Sequence, residues 1–234
     1  MIPFFIFNGK NSKDMGIIVN KMPAITRPEM KVEEIVVPGR SGSLYIKENE
    51  KYDTYEPFTY QIECTLIDNA NTRNIFEWLK GEGKLILSRE TDKFYNVLIK
   101  SKIDLEQVYQ VCNEFSIEFQ VQPFAYSVCE KEQKLLSSTE ITILDSTYYI
   151  KPYIKVIGNG DISLSINDKT MILKNIEDYI ELDCELEEAF KGNINCNDKI
   201  YSEDFLYLGP GKNLIDWLGD VSSVKLKYRE VFLW

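Results

Sequence analysis

The feature that most constrains this chain is the period of its apolar residues, which recur at every second position along most of its length. Tyr60, Ile62, Cys64 and Leu66 fall on one side of an extended segment, with Gln61, Glu63 and Thr65 on the other. Phe115, Ile117, Phe119 and Val121 alternate with Ser116, Glu118 and Gln120, and Val224, Leu226 and Tyr228 with Lys225, Lys227 and Arg229. Such runs, broken by Gly, Asn, Asp and Pro clusters, predict antiparallel strands with one buried face. The expected fold class is mainly β.

One segment departs from the rule. Residues 71–80 place Ile75, Phe76 and Leu79 at helical spacing after the cap candidates Asp68 and Asn69, and Gly81 stands where a left-handed terminal residue is wanted. A short helix is expected there, feeding a strand at Lys84–Leu87. Around residues 129–147 the strand pattern lapses, which sets the expected organisation. A first domain spans 1–130, a linker or first strand of the second domain spans 131–150, and a second domain spans 151–234. The second domain opens with KPYIKVIGNGDISLSIND (151–168), read as two strands around a Gly-Asn-Gly-Asp turn. Short strands at regular spacing suggest a β-sandwich.

A chain of 234 residues can bury roughly 70–75 % of its unfolded surface, so a substantial core is available. The apolar start Met1–Phe7 has no preceding cationic stretch and stops at Asn8-Gly9, so neither a signal peptide nor a membrane span is expected there. The five cysteines, Cys64, Cys112, Cys129, Cys184 and Cys196, lack zinc or redox spacing and read as reduced, buried thiols. No histidine is present, which removes the commonest general base and metal ligand. The net charge of −10 argues against a DNA-binding role, since affinity for DNA comes largely from cations. Divided at residue 128, the charge is −3 in the first part and −7 in the second.

Candidate chemistry is sparse. Glu181–Glu188 is the densest acidic stretch, as a carboxylate hydrolase would need, but Ile180, Leu182 and Cys184 alternate with Glu181, Asp183 and Glu185. The acids then form the solvated side of a strand. Lys225, Lys227 and Arg229 form another outward row, and cross-strand pairing of the two rows is expected if their strands are neighbours. Gly158-Asn159-Gly160 and Gly209-Pro210-Gly211-Lys212 fail as nucleotide loops, because Ser163, Leu206 and Asn213 stand where glycine, glycine and Ser or Thr are required. Both read as turns. Trp78 is expected in the core, while Trp217, in the turn-rich NLIDWLGD stretch, and Trp234 could be exposed. No catalytic residue, metal site or cofactor site is read, and the chain is not expected to be an enzyme.

Five segments in order nevertheless resemble one family. FNGKNSKDMGI (7–17) looks like an opening strand, an Asn-Gly turn and the approach to a second strand; VPGRSGSLY (37–45) like a strand ending in Pro38, a Gly39-Arg40-Ser41-Gly42 turn and a return strand. NIFEWLKGEGKLIL (74–87) looks like a helix leading into a strand, and FSIEFQVQPFAY (115–126) like a closing strand. KPYIKVIGNGDISLSIN, with YLGPGKNLI (207–215) and VKLKYRE (224–230), resembles a short C-terminal sandwich. Together they resemble the distal tail protein (Dit) family of siphophages and related tail-like particles, in its short form with a galectin-like C-terminal domain.

That resemblance implies a ring-forming N-terminal β-barrel or sandwich domain with one short helix, and a C-terminal galectin-like β-sandwich. It implies a hexamer stacked under the tail tube protein, at the distal end of the tail, joining the tube to the tail-associated tip protein and to receptor-binding or baseplate proteins. Tape-measure protein and DNA would pass through the channel without specific binding; no membrane is involved. The number six comes from the resemblance alone. Val37, Pro38, Gly39, Arg40, Ser41, Gly42, Leu44 and Tyr45 are the ring-assembly candidates, with Ile46–Tyr55 continuing a projecting arm. Galectin sugar binding uses a histidine and an Asn-Pro-Arg run, neither of which occurs here, so the second domain looks like a protein-docking platform. The alternative function is a module that binds cell-surface carbohydrate.

Overall fold

The protein is described by a computed structural model covering residues 2–48, 53–67, 72–103, 106–107, 113–202 and 204–233. The chain divides into two compact units, Met1–Ala125 with Leu233–Trp234, and Tyr126–Phe232. Each is built almost wholly of β-strands.

The first unit contains β1 (Phe5–Phe7), β2 (Lys10–Asn11), β3 (Ile17–Lys21), β4 (Val32–Val36), β5 (Ser43–Lys47), β6 (Phe58–Leu66), α1 (Thr72–Trp78), β7 (Gly81–Leu87), β8 (Glu90–Ile99), β9 (Glu106–Gln107) and β10 (Asn113–Ser127). Its main sheet runs β2-β1-β7-β8-β10-β6-β3. Asn8 and Gly9 take positive φ (48° and 78°), which suits the tight hairpin between β1 and β2. The period-two expectation holds in detail on β6 and β10: Tyr60, Ile62, Cys64 and Leu66 are buried, and so are Phe115, Ile117, Phe119 and Val121.

Helix α1 packs against this core through the buried Ile75 and Trp78. Trp78 stacks on Phe5 with ring centroids 5.7 Å apart, and its indole N–H donates to the Phe7 carbonyl at 2.8 Å. A large apolar ring and its one donor are thereby both satisfied. Phe76, placed at helical spacing with Ile75 and Leu79 by the sequence, is exposed, because on so short a helix the face carrying Ile75 and Trp78 is the one that meets the sheet. Gly81 has the expected positive φ of 71°, whereas the proposed caps Asp68 and Asn69 lie outside the described residues.

Strands β4 and β5 form a two-stranded sheet of their own and, among the described residues, pair only with each other. The base of this ribbon is fixed: Met30 bridges Tyr55, the Lys31 N–H donates to the Thr54 carbonyl and the Glu56 N–H to the Glu29 carbonyl, each at 2.8 Å. Tyr55 is buried edge-on against Phe124, with centroids 6.0 Å apart. The approach to the ribbon is held by Arg89, which donates to the Pro23 carbonyl at 2.6 Å and the Tyr60 hydroxyl at 3.3 Å.

The second unit contains β11 (Lys131–Leu135), β12 (Thr139–Ile143), β13 (Tyr153–Ile166), β14 (Lys169–Ile176), β15 (Tyr179–Asp183), β16 (Glu188–Lys191), β17 (Ile194–Asn195), β18 (Ile200–Tyr201), β19 (Gly211–Tyr228) and β20 (Val231–Phe232). Residues 131–150 thus carry two strands, and both pair with β19.

The Gly-Asn-Gly-Asp turn expected at 158–161 is not a hairpin. β13 runs through it as one strand, pairing first with β15 and then with β14, while β19 accompanies it on both sides of two register shifts. Glycines make this corner possible. A Cβ on Gly158 would collide with the Asp220 carbonyl, and one on Gly219 would lie 2.6 Å from the Asp161 carbonyl. The NLIDWLGD stretch, likewise read as turns, lies inside β19 for the same reason, and the sheet folds over a core that includes Ile154, Val156, Leu164, Leu173, Leu182 and Leu226.

Candidate functional site

Residues 37–45, singled out for assembly, lie at and just behind the end of the β4–β5 ribbon; of the segment 46–55, expected to project, Ile46 and Lys47 continue β5, Tyr55 is buried at the ribbon's base, and residues 49–52 lie outside the described residues. β4 stops at Val36, two positions before Pro38, and β5 begins at Ser43. Pro38 has no N–H to continue a ladder, which accounts for the early stop. Gly39 and Gly42 take positive φ (81° and 78°), and the Arg40 N–H donates to the Val37 carbonyl at 3.1 Å. The glycines permit the reversal that presents Pro38, Arg40 and Ser41 at an exposed tip.

The ribbon behind the tip has no buried residue on either strand. Its register pairs Val32 with Lys47, Glu33 with Ile46, Glu34 with Tyr45, Ile35 with Leu44 and Val36 with Ser43. Val36 is 75 % exposed, Tyr45 66 % and Ile46 49 %, and Leu44 and Val32 are exposed as well. An isolated two-stranded ribbon is marginal in water, and one that spends this much apolar surface on solvent is poorly explained as a finished structure. Among the described residues its charge pairing is at the lower end, where Lys47 meets Asp53 at 2.6 Å, a contact that raises the lysine pKa.

In the acidic stretch Ile180, Leu182 and Cys184 are buried and Glu185 is exposed, as the alternation predicts, but Glu181 departs from that reading. Glu181 is not on a solvated face; its side chain is only 14 % exposed. Its carboxylate accepts from Lys155 Nζ at 3.1 Å and from the Gly192 N–H at 3.3 Å. Burial pushes this carboxyl up, but hydrogen bonds from Lys155, Tyr153 and Gly192 outweigh that and hold it below the usual carboxylate value. Lys155 also sits over the Tyr179 ring at 3.8 Å, and Tyr153 packs near Phe190 at 6.0 Å. The sequence hint was the alternation of Tyr153 and Lys155 with Ile154 and Val156, which puts the two polar side chains on one face.

The basic row does not neighbour the acidic one. β13 lies between them, so Lys155 faces Glu181 on one side and Lys225 on the other. Lys227 pairs instead with Glu132 at 3.7 Å and Arg229 with Glu130 at 3.4 Å. Gly209 and Gly211 close a turn around the buried Asn213, whose side chain bonds Gly209 N and both glycine carbonyls; it holds backbone, not phosphate. Trp217 is half-buried and Trp234 lies outside the described residues. Cys64, Cys184 and Cys196 are buried as expected, but Cys129 is exposed and Cys112 lies outside the described residues. Among the described residues no group of three or more His, Cys, Asp or Glu is placed to hold a metal.

No protein-family model matches the sequence, and no curated protein matches it. The fold, however, has a solved counterpart. The SPP1 Dit protein (gp 19.1), described as a paradigm of the hub adsorption apparatus in Gram-positive infecting phages, aligns with a TM-score of 0.79, covering 100 % of both chains at 12 % identity. At that identity the likeness concerns the backbone and its connections from end to end, and on that ground the chain has the fold of a Dit-type distal tail protein.

Proposed function

We propose that the chain is a structural hub of a phage or phage-like tail tip, in which six copies close a ring that connects the tail tube to the tip protein. The observation that carries this reading is the β4–β5 ribbon: a rigidly based arm, apolar and uncovered, on a chain with the fold of a protein described as an adsorption-apparatus hub. Val37, Pro38, Gly39, Arg40, Ser41, Gly42, Leu44 and Tyr45 are its assembly contacts. Residues 1–130 build the ring, and residues 151–234 carry receptor-binding or other baseplate proteins.

The outward faces of β6 and β10 suit the channel wall. Glu63, Glu114 and Glu118 lie there among Gln61, Ser116 and Gln120, and neither strand contains a lysine or arginine. DNA and tape-measure protein would slide past such a wall without adsorbing, because the two strands offer phosphate no cation and Lys21 of the neighbouring β3 is already held by Glu63 at 3.4 Å. The role is mechanical, not enzymatic, and its place is the distal end of the tail. Gold-labelled antibody against the chain, applied to tails from the particle that encodes it, is expected to mark one end of each tail; label along the shaft or none at all contradicts the reading.

A second reading, a module for cell-surface carbohydrate, draws on Tyr153, Tyr179 and Phe190 around the Lys155–Glu181 pair on one sheet face. Aromatic rings beside an ordered charge pair are a plausible sugar platform. A glycan array with no signal from the full chain removes it.

A further inference from the structure

We infer that the β4–β5 arm is covered on both of its faces by a second copy of the chain, clamped between two surfaces instead of being laid on one. This rests on the ring reading above and adds to it how the arm is held.

The register sorts the arm's side chains. Val32, Glu34 and Val36 share one face with Ser43, Tyr45 and Lys47, and Glu33 and Ile35 share the other with Leu44 and Ile46. A ribbon that docks through one face carries apolar residues there and polar ones on the back. This one does not. Leu44, Tyr45 and Ile46 are three consecutive apolar residues, so both faces receive one or more of them, and all three are exposed. One-sided docking leaves either Tyr45 and Val36, or Leu44 and Ile46, in water.

Area gives the same answer. Strands of five residues span about 17 Å and two of them about 10 Å across, so a face offers on the order of 200 Å². A stable interface removes about 800 Å² from each partner. A single face of the arm supplies a minor share of that, and burying both faces and the tip brings the arm's own contribution to a useful fraction.

Reach and charge point to a second copy as the occupant. From the Met30–Tyr55 bridge to Gly39 the arm extends about 30 Å, on the order of a small domain's width. Glu33 and Glu34 have no cationic partner among the described residues. Lys80 and Lys100, which flank the Gly81–Ile99 pair, are exposed and have no carboxylate partner there either. The chain therefore carries both halves of a complementary contact it does not make internally, and in a closed ring each copy gives one arm and receives one.

The experiment uses the full chain and two residues adjacent in sequence on opposite faces. Tyr45→Glu and Ile46→Glu are each expected to raise the concentration needed for ring assembly at least tenfold, with the thermal midpoint of the monomer unchanged. In parallel, a benzophenone side chain placed at position 45 or, separately, at position 46 is expected to give covalent dimers from both positions on irradiation. If the wild type assembles but one of the two charge variants assembles like it, or only one position cross-links, the arm is held on a single face and the inference is overturned while the ring stands. A wild type that never assembles overturns the ring and this inference together.

Discussion

Lys155 and Glu181 stand directly opposite each other on β13 and β15, with Nζ and Oε1 3.1 Å apart and the carboxylate largely withdrawn from solvent. Opposite charges at a directly paired position favour one register over a slip by one residue, which would turn the apolar set of Ile154, Val156, Ile180 and Leu182 outward. Glu181→Gln removes the charge and leaves Lys155 partly buried without it. The expected cost is about 1–3 kcal/mol, from the loss of charge-assisted hydrogen bonds. The folded carboxyl lies below its ordinary value of 4.5, so its contribution is present above pH 4.5 and is lost as pH falls through the folded pKa. Denaturant titrations of both proteins should therefore differ at pH 7 and converge in acid. A constant difference across that range contradicts the account.

The corner of the second unit depends on two backbones that nearly touch. Gly158→Ala drives a methyl group into the Asp220 carbonyl and is expected to cost about 3 kcal/mol or more. Gly160, two residues on, has open space but a positive φ of 76°, so Gly160→Ala is expected to cost about 1 kcal/mol from backbone strain alone. Urea unfolding of the pair separates the two causes, and equal losses contradict a steric corner at Gly158.

Thiol reactivity follows burial. Burial pushes the Cys64 and Cys184 thiols up to about 12, whereas Cys129 is exposed. Iodoacetamide at pH 8 is expected to label Cys129 in the native chain and to reach Cys64 and Cys184 only after unfolding, since the thiolate is the reacting form. Peptide mapping by mass spectrometry reads this directly; rapid native labelling of Cys64 contradicts the packing of β6.

Period two reads out well where a strand has one wet and one dry face, as β6 and β10 do. It fails where glycine carries two meanings. Gly158-Asn159-Gly160 has the composition of a hairpin turn, and only the approach of Asp220, sixty residues on, decides that the strand continues. Glu181 departs from its pattern for a related reason: alternation gives its face, but not that Lys155, Tyr153 and Gly192 converge on it. The arm was legible as a hairpin from its two glycines. That neither face is covered was foreshadowed only by the run Leu44-Tyr45-Ile46, where alternation breaks down.

The central claim is that the chain closes on itself as a ring through its arm. Native mass spectrometry of the full-length protein at tens of micromolar, with negative-stain images of the same sample, tests it most directly. The account predicts a six-copy species that images as a ring with a central hole. A monomer at every concentration, with or without the tail-tube and tip proteins, contradicts it.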